Sequence, residues 1–203
     1  MVRGWYYSSK NGRRLLSIDE IAGACSTSKQ EMKKWIAEKL QRSGKTGLDL
    51  VDAAEVVWLL IRNDMPVSPL LLPPRTKKIL FIAGDEYVFQ DKSDQFDVIC
   101  RFFASNYNIL VETSTAGRSA DLNILTFSPH VVLIFHKSYS QDTNKTLNFL
   151  SCFPELKAIL FVDASSKDIV EKDLGNISED HLIISDALPT EQLLAQLRSV
   201  FDN

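Results

Sequence analysis

Five short apolar runs in the second part of the chain constrain its fold more than any other feature: residues 79–83, 109–112, 131–135, 158–162 and 182–184. A strand with one wet face alternates apolar and polar side chains, whereas a strand covered on both faces reads as an unbroken apolar run. The stretches between and after these runs, 93–106, 118–127, 143–152, 167–174 and 190–201, carry apolar residues at helical spacing. Strands alternating with helices, all with apolar faces on both sides, predict a doubly wound α/β domain with a parallel sheet of five strands over residues 77–203.

That domain does not begin at the start of the chain. Pro66, Pro69, Pro73 and Pro74 fall within residues 66–76, a density that stops any helix and stiffens the path, so this stretch reads as a linker. Leu70, Leu71 and Leu72 are too apolar for a solvated linker and are expected to lie against one of the domains. Residues 1–65 form a separate small domain in this reading.

Its elements announce themselves by their starts. Residues 17–24 open on Ser17 with Glu20 three places later, and residues 26–40 carry Thr27 with Gln30, both capping-box patterns. In the second stretch Met32, Trp35, Ile36 and Leu40 share one helical face while Lys29, Lys33 and Lys34 project elsewhere. Only Cys25 and Ser26 separate the two, so a helix-turn-helix is expected. A third capping box is expected at Asp52 and Glu55, opening a helix over residues 52–64 that is apolar around most of its circumference and therefore buried on several sides. Ahead of all these, residues 1–14 mix Trp5, Tyr6 and Tyr7 with Arg3, Lys10, Arg13 and Arg14 around the turn dipeptide Asn11-Gly12; a hairpin and a flexible arm are both open. Charge follows the same division. Residues 1–45 hold ten Lys/Arg against four Asp/Glu, and residues 65–203 hold twelve against eighteen. Opposite signs in two halves fit one half meeting a polyanion.

The run LLSIDEIAGACSTSKQEMKKWIAEKL resembles the excisionase-type and MerR-like winged helix-turn-helix families. The resemblance implies a DNA-binding domain whose second helix enters the major groove, with Lys29, Gln30, Lys33 and Lys34 as groove contacts. It also implies a β-hairpin wing after that helix, short here, with Arg42 and Lys45 meeting phosphate and Arg13 and Arg14 adding phosphate contacts from the arm.

In residues 77–203 the order and texture of the elements, and the run YNILVETSTAGRSADLNILTFSPHVVLIF in particular, resemble the receiver domain of bacterial response regulators. The resemblance implies a flavodoxin-like sheet with strand order 2-1-3-4-5. It also implies a phosphorylation site: two acids after the first strand for Mg²⁺, an acceptor aspartate ending the third, a hydroxyl after the fourth and a lysine after the fifth. This chain departs from that pattern at every position. Ala83 and Gly84 stand for the acids, Phe135 for the acceptor, Val162 or Asp163 for the hydroxyl, and Asp186 for the lysine. Asp85 and Glu86 lie about two places late, and a slipped first strand would still supply no acceptor. The domain is therefore expected to be a pseudo-receiver.

Other chemistry is not indicated. Cys25, Cys100 and Cys152, like His130, His136 and His181, lack metal-ligand spacing, and the cysteines read as buried small hydrophobes of a reducing compartment. Gly44-Lys45-Thr46 copies the end of a phosphate loop without its earlier glycine. No signal peptide and no membrane span are expected. The sequence thus predicts a cytoplasmic, non-enzymatic, cofactor-free and metal-free bacterial regulator that binds double-stranded DNA as a homodimer. An alternative is a protein-interaction adaptor whose pseudo-receiver docks a signalling partner. A third reading has a small molecule in the vacated pocket.

Overall fold

The structure, a computed structural model, describes residues 5–8, 14–39, 50–63, 65–83, 93–136, 141–162, 182–185 and 188–201. The expected helix at 167–174 and the expected wing at 41–46 lie outside the described residues. The described strands are β1 (Trp5–Ser8), β2 (Leu15–Ser17), β3 (Leu50–Asp52), β4 (Lys77–Ala83), β5 (Ile109–Thr115), β6 (Val131–His136), β7 (Lys157–Val162) and β8 (Leu182–Ser185). The described α-helices are α1 (Ile18–Ala24), α2 (Lys29–Lys39), α3 (Ala53–Arg62), α4 (Ser93–Asn106), α5 (Arg118–Phe127), α6 (Gln141–Leu150) and α7 (Thr190–Phe201).

The apolar runs do what their composition requires. β4 to β8 form parallel pairs in the order β5-β4-β6-β7-β8, a doubly wound, flavodoxin-like arrangement. Successive side chains point to opposite faces, so each run feeds two cores. Ile79, Phe81, Leu133, Phe135, Ile159 and Phe161 meet Ile99 and Phe103 of α4 and Leu193, Leu197 and Phe201 of α7. Leu80, Ile82, Val132, Ile134, Leu160 and Val162 meet Ala120, Ile124 and Phe127 of α5 and Leu147 and Leu150 of α6.

Among the described residues the sheet holds six strands rather than the expected five. β1 adds to its edge, antiparallel to β5, with Trp5 opposite Glu112 and Ser8 opposite Ile109. The open choice between hairpin and free arm thus resolves, for residues 5–8, into neither. These residues, counted in the first domain by sequence, are built into the sheet of the second. Edge pairing explains it: β5 would otherwise present a row of unpaired backbone groups.

α1 and α2 follow β2, and β3 returns beside β2 with Leu16 opposite Val51 before α3 begins. Their apolar side chains, among them Ile18, Ile21, Met32, Ile36, Val56, Val57 and Leu60, do not form a core of their own. They belong to one buried cluster that runs through Tyr7, Leu71 and Leu72 to the α5–α6 face of the sheet. Leu71 is 1% exposed and Leu72 7%, so the linker packs as a structural element; Leu70, 69% exposed, faces solvent. Residues 69–71 form a 3₁₀ turn whose start is capped by the Ser68 hydroxyl.

Candidate nucleic-acid interface

The turn between α1 and α2 is closed by backbone. Cys25 N–H donates to Ile21 O at 3.0 Å, and Thr27 N–H reaches back to Ala22 O at 3.0 Å. Ser26 takes the left-handed conformation (φ +52°) that lets the chain reverse within so few residues. α1 starts on the expected capping box: Ser17 N–H donates to the Glu20 carboxylate at 2.7 Å and Glu20 N–H to the Ser17 hydroxyl at 3.2 Å. These hydrogen bonds hold the Glu20 carboxyl below its usual range, with a smaller contribution from the charge of Arg14.

α2 starts one residue later than its sequence pattern indicates. The box is Ser28 with Glu31, not Thr27 with Gln30: Ser28 N–H donates to the Glu31 carboxylate at 3.2 Å and Glu31 N–H to the Ser28 hydroxyl at 3.2 Å. The Thr27 hydroxyl also donates to Glu31, at 3.1 Å. A carboxylate accepts charge-assisted bonds and so outcompetes the Gln30 amide for the cap. The same bonds pull the Glu31 carboxyl below its usual range, the Ser28 hydroxyl contributing most. At α3 the Asp52 carboxylate accepts from Ala54 N–H at 3.0 Å and supplies the cap.

With Met32 and Ile36 buried and Trp35 half-buried, the opposite side of α2 presents Gln30, Lys33, Lys34 and Ala37 to solvent. The predicted contact residues fare differently there. Lys29 is drawn to Asp19 of α1 at 2.6 Å, and Lys34 stands 3.9 Å from Glu38. Gln30 and Lys33 are exposed and have no side-chain partner among the described residues. Arg14 is committed elsewhere: its guanidinium donates to Leu70 O at 3.3 Å and Leu72 O at 3.2 Å, tying the start of β2 to the linker. These bonds occupy one guanidinium nitrogen of an exposed side chain and give Arg14 a structural role beside the phosphate contact expected of it. Arg13, Arg42 and Lys45 lie outside the described residues.

The charge of the interface is also redistributed. Residues 18–39 hold Lys29, Lys33, Lys34 and Lys39 against Asp19, Glu20, Glu31 and Glu38, and are neutral. The positive excess of residues 1–45 therefore resides in Arg3, Lys10, Arg13, Arg14, Arg42 and Lys45, outside α1 and α2.

The receiver-like edge has a different character. Ala83, Phe135 and Val162, three of the positions where a receiver keeps its phosphorylation chemistry, are 0%, 3% and 1% exposed. Register places Ala83 beside Phe135 and Phe135 beside Phe161. The Phe135 ring lies nearly parallel to that of Phe161, centroids 4.4 Å apart, while Phe81 stacks on its other side at 5.6 Å. Where an acceptor carboxylate would stand, a three-strand aromatic ladder fills the core. Gly84 and Asp186 lie outside the described residues, as do Asp85, Glu86 and Asp163.

The cysteines divide. Cys100 is buried, and burial followed by the charge of Asp97 pushes its thiol up to about 12; burial also raises the Cys25 thiol. Cys25 is half-buried and Cys152 exposed, contrary to the expectation of three buried thiols. Cys152 sits in the turn after α6, which ends at Leu150, two residues before the expected end at 152. Among the described residues no cluster of His, Cys, Asp and Glu could hold a metal, and no helix is long and apolar enough to cross a membrane.

No protein-family profile and no curated protein matches this chain. Solved structures do. A response-regulator receiver domain from Francisella matches at 18% identity, covering 62% of this chain and 97% of its own, with a TM-score of 0.43. A CheY-like receiver domain protein from Methanospirillum hungatei matches at 14% identity over 63% and 94%, with a TM-score of 0.41. The pilus assembly protein CpaE of Caulobacter crescentus matches at 12% identity over 61% and 98%, with a TM-score of 0.43.

Proposed function

We propose that this protein is a DNA-binding regulator in which β2, α1, α2 and β3 form a winged helix-turn-helix and residues 77–203 form a pseudo-receiver that mediates dimer or partner contacts. The observation that carries the reading is the exposed pair Gln30 and Lys33 on α2, without a side-chain partner among the described residues while the opposite face of the helix is buried. A glutamine amide suits adenine edges and a lysine suits guanine or phosphate. Because α1 and α2 are neutral together, this reading assigns the phosphate contacts to the arm and wing, Arg13, Arg42 and Lys45 above all. One small head buries little surface, so two copies on a repeated half-site are required. The apolar Phe135 is the reason to propose that aspartyl phosphate does not switch the protein, and the lack of a catalytic motif in either half of the sequence is the reason to propose that it is not an enzyme.

Titration onto duplex DNA at several salt concentrations tests the proposal. Affinity should fall steeply with salt, Lys33→Ala should weaken it, and Arg42→Ala plus Lys45→Ala should reduce the salt slope by about two. Binding that ignores salt and all three substitutions overturns it.

A second reading, a protein-interaction adaptor, draws on two observations: the neutrality of α1–α2, and the exposure of Leu122 and Leu125 on α5, each 53%. A stoichiometric protein partner, lost on Leu122→Glu, in a protein that shows only non-specific DNA affinity would favour it over the first.

A further inference from the structure

A cleft of about 790 Å³ opens at the amino-terminal ends of β4 and β6, the end of the sheet opposite Ala83 and Phe135. Its walls come from three places. Arg14 enters from the start of β2, the prolines, leucines and Arg75 of the linker form one side, and Lys78 and His130 close it from the sheet end. Thr76 and Ser128 also line it, and none of the described residues of the lining is acidic.

Arg14 and Lys78 are held in place by bonds that leave donors to spare. Arg14 spends one guanidinium nitrogen on the linker carbonyls. Lys78 donates from its ammonium to Phe127 O at 3.0 Å and lies over the Phe127 ring at 5.5 Å. His130 accepts the Lys78 backbone N–H at Nδ1, 2.9 Å, so its neutral ring carries the proton on Nε2 as a donor. Arg75 has no ion-pair or hydrogen-bond partner among the described residues and occupies the left-handed region at φ +59°. A long β-carbon-bearing side chain is costly there, and glycine would be the ordinary occupant. Its presence puts a guanidinium at the cleft without a carboxylate to neutralise it.

We propose that this cleft is a binding site for a small phosphate-bearing anion of the diphosphate class. Two guanidinium groups, an ammonium and an imidazole N–H lining one cleft, with no acidic side chain among its described residues, match an anion with several charged oxygens better than a monocarboxylate, and guanidinium groups suit phosphoryl geometry. The cleft volume lies in the range of small-molecule sites. Because Arg14 belongs to the β2 side and Lys78 to the sheet, a bound anion would bridge the two segments through the linker. The site does not depend on DNA binding by α2.

The test is a titration of the full chain with inorganic pyrophosphate at constant ionic strength, read by calorimetry and by melting temperature against chloride. The expected result is saturable binding with a rise in melting temperature. Arg75→Gly and Lys78→Met should each weaken binding by about tenfold or more, the loss of one charge-assisted contact. Arg75→Gly accepts the observed φ and is expected to fold normally, which separates loss of the site from loss of structure. Pyrophosphate that behaves as chloride does, or binds both variants equally well, overturns the proposal. If Arg75→Gly weakens duplex DNA binding while pyrophosphate never binds, the cations belong to a nucleic-acid backbone track and the small-anion site is also overturned.

Discussion

The two faces of the sheet are built from the same kind of strand and end in different kinds of core. Among the described residues the face under α4 and α7 draws on one segment: its aromatic ladder, Phe81–Phe135–Phe161, packs with Phe103, Leu197 and Phe201, all from residues 77–203. The face under α5 and α6 continues through Tyr7, Leu71 and Leu72 into α1, α2 and α3. Equal strand composition therefore does not imply equal independence. One core stabilises a domain, while the other joins it to its neighbour. A proline-rich stretch that looks like a hinge acts as a seam, because two of its leucines are placed where only burial satisfies them.

Substitution on each face can break this contrast. Phe135→Ala removes a ring stacked on both sides and should cost about 3–5 kcal/mol. Urea unfolding is the measurement, and hydrogen exchange should show protection lost first around α4 and α7 while α1–α3 keep theirs. Phe135→Asp, which restores the receiver acceptor in name, should be at least as damaging and should not accept a phosphoryl group, because it buries a charge among phenylalanines. Leu71→Ala should cost about 2–5 kcal/mol by the same cavity argument, but with exchange rising in α1–α3 and the α5–α6 face together. If Leu71→Ala loosens only one of the two, the shared core is not shared.

A smaller effect sharpens the picture at α2. Ser28→Ala should lower stability by about 1 kcal/mol, the ordinary worth of a helix cap, and Thr27→Ala by less. Equal losses would put the cap back where the sequence pattern has it.

The smallest expected effect concerns pH. Partial desolvation, then the charges of Lys77 and Lys78, hold His130 below the ordinary histidine range. The unfolded chain then takes up this proton first as pH falls, so stability is present above about pH 6.5 and declines below it. His130→Asn keeps an acceptor for the Lys78 N–H and should flatten that decline. An unchanged profile would remove His130 from the seam's electrostatics. Below this window Glu20 and Glu31, both held low by serine hydrogen bonds, lose their contribution in turn.

Much of the architecture was legible because it depends on short-range pattern. The helices at 93–106, 118–127 and 190–201 and the strand cores of β4 to β8 follow directly from apolar spacing, and Ser17–Glu20 from a local hydrogen-bond pattern. β5 runs three residues past its expected end at Glu112, because Thr113, Ser114 and Thr115 look like a loop; only their pairing beside β4 makes them strand. The exposed pair Gln30 and Lys33 was legible from helical periodicity, whereas the engagement of Lys29 and Arg14 was not, because Asp19 and the linker carbonyls lie 10 and more than 50 residues away. The convergence of Arg14, Arg75, Lys78 and His130 had no signal in one dimension at all.

By itself, then, the amino-acid order determined which segments are strand or helix and what the receiver-like positions lack, since Phe135 and Ala83 carry no carboxylate in any fold. The tertiary structure decided ownership. It assigned β1 to the second segment's sheet, the linker to the core and Arg14 to the linker. The reason is physical: an edge strand and an exposed leucine are satisfied by whatever surface folding brings nearest, and that surface is not encoded by neighbours in the chain.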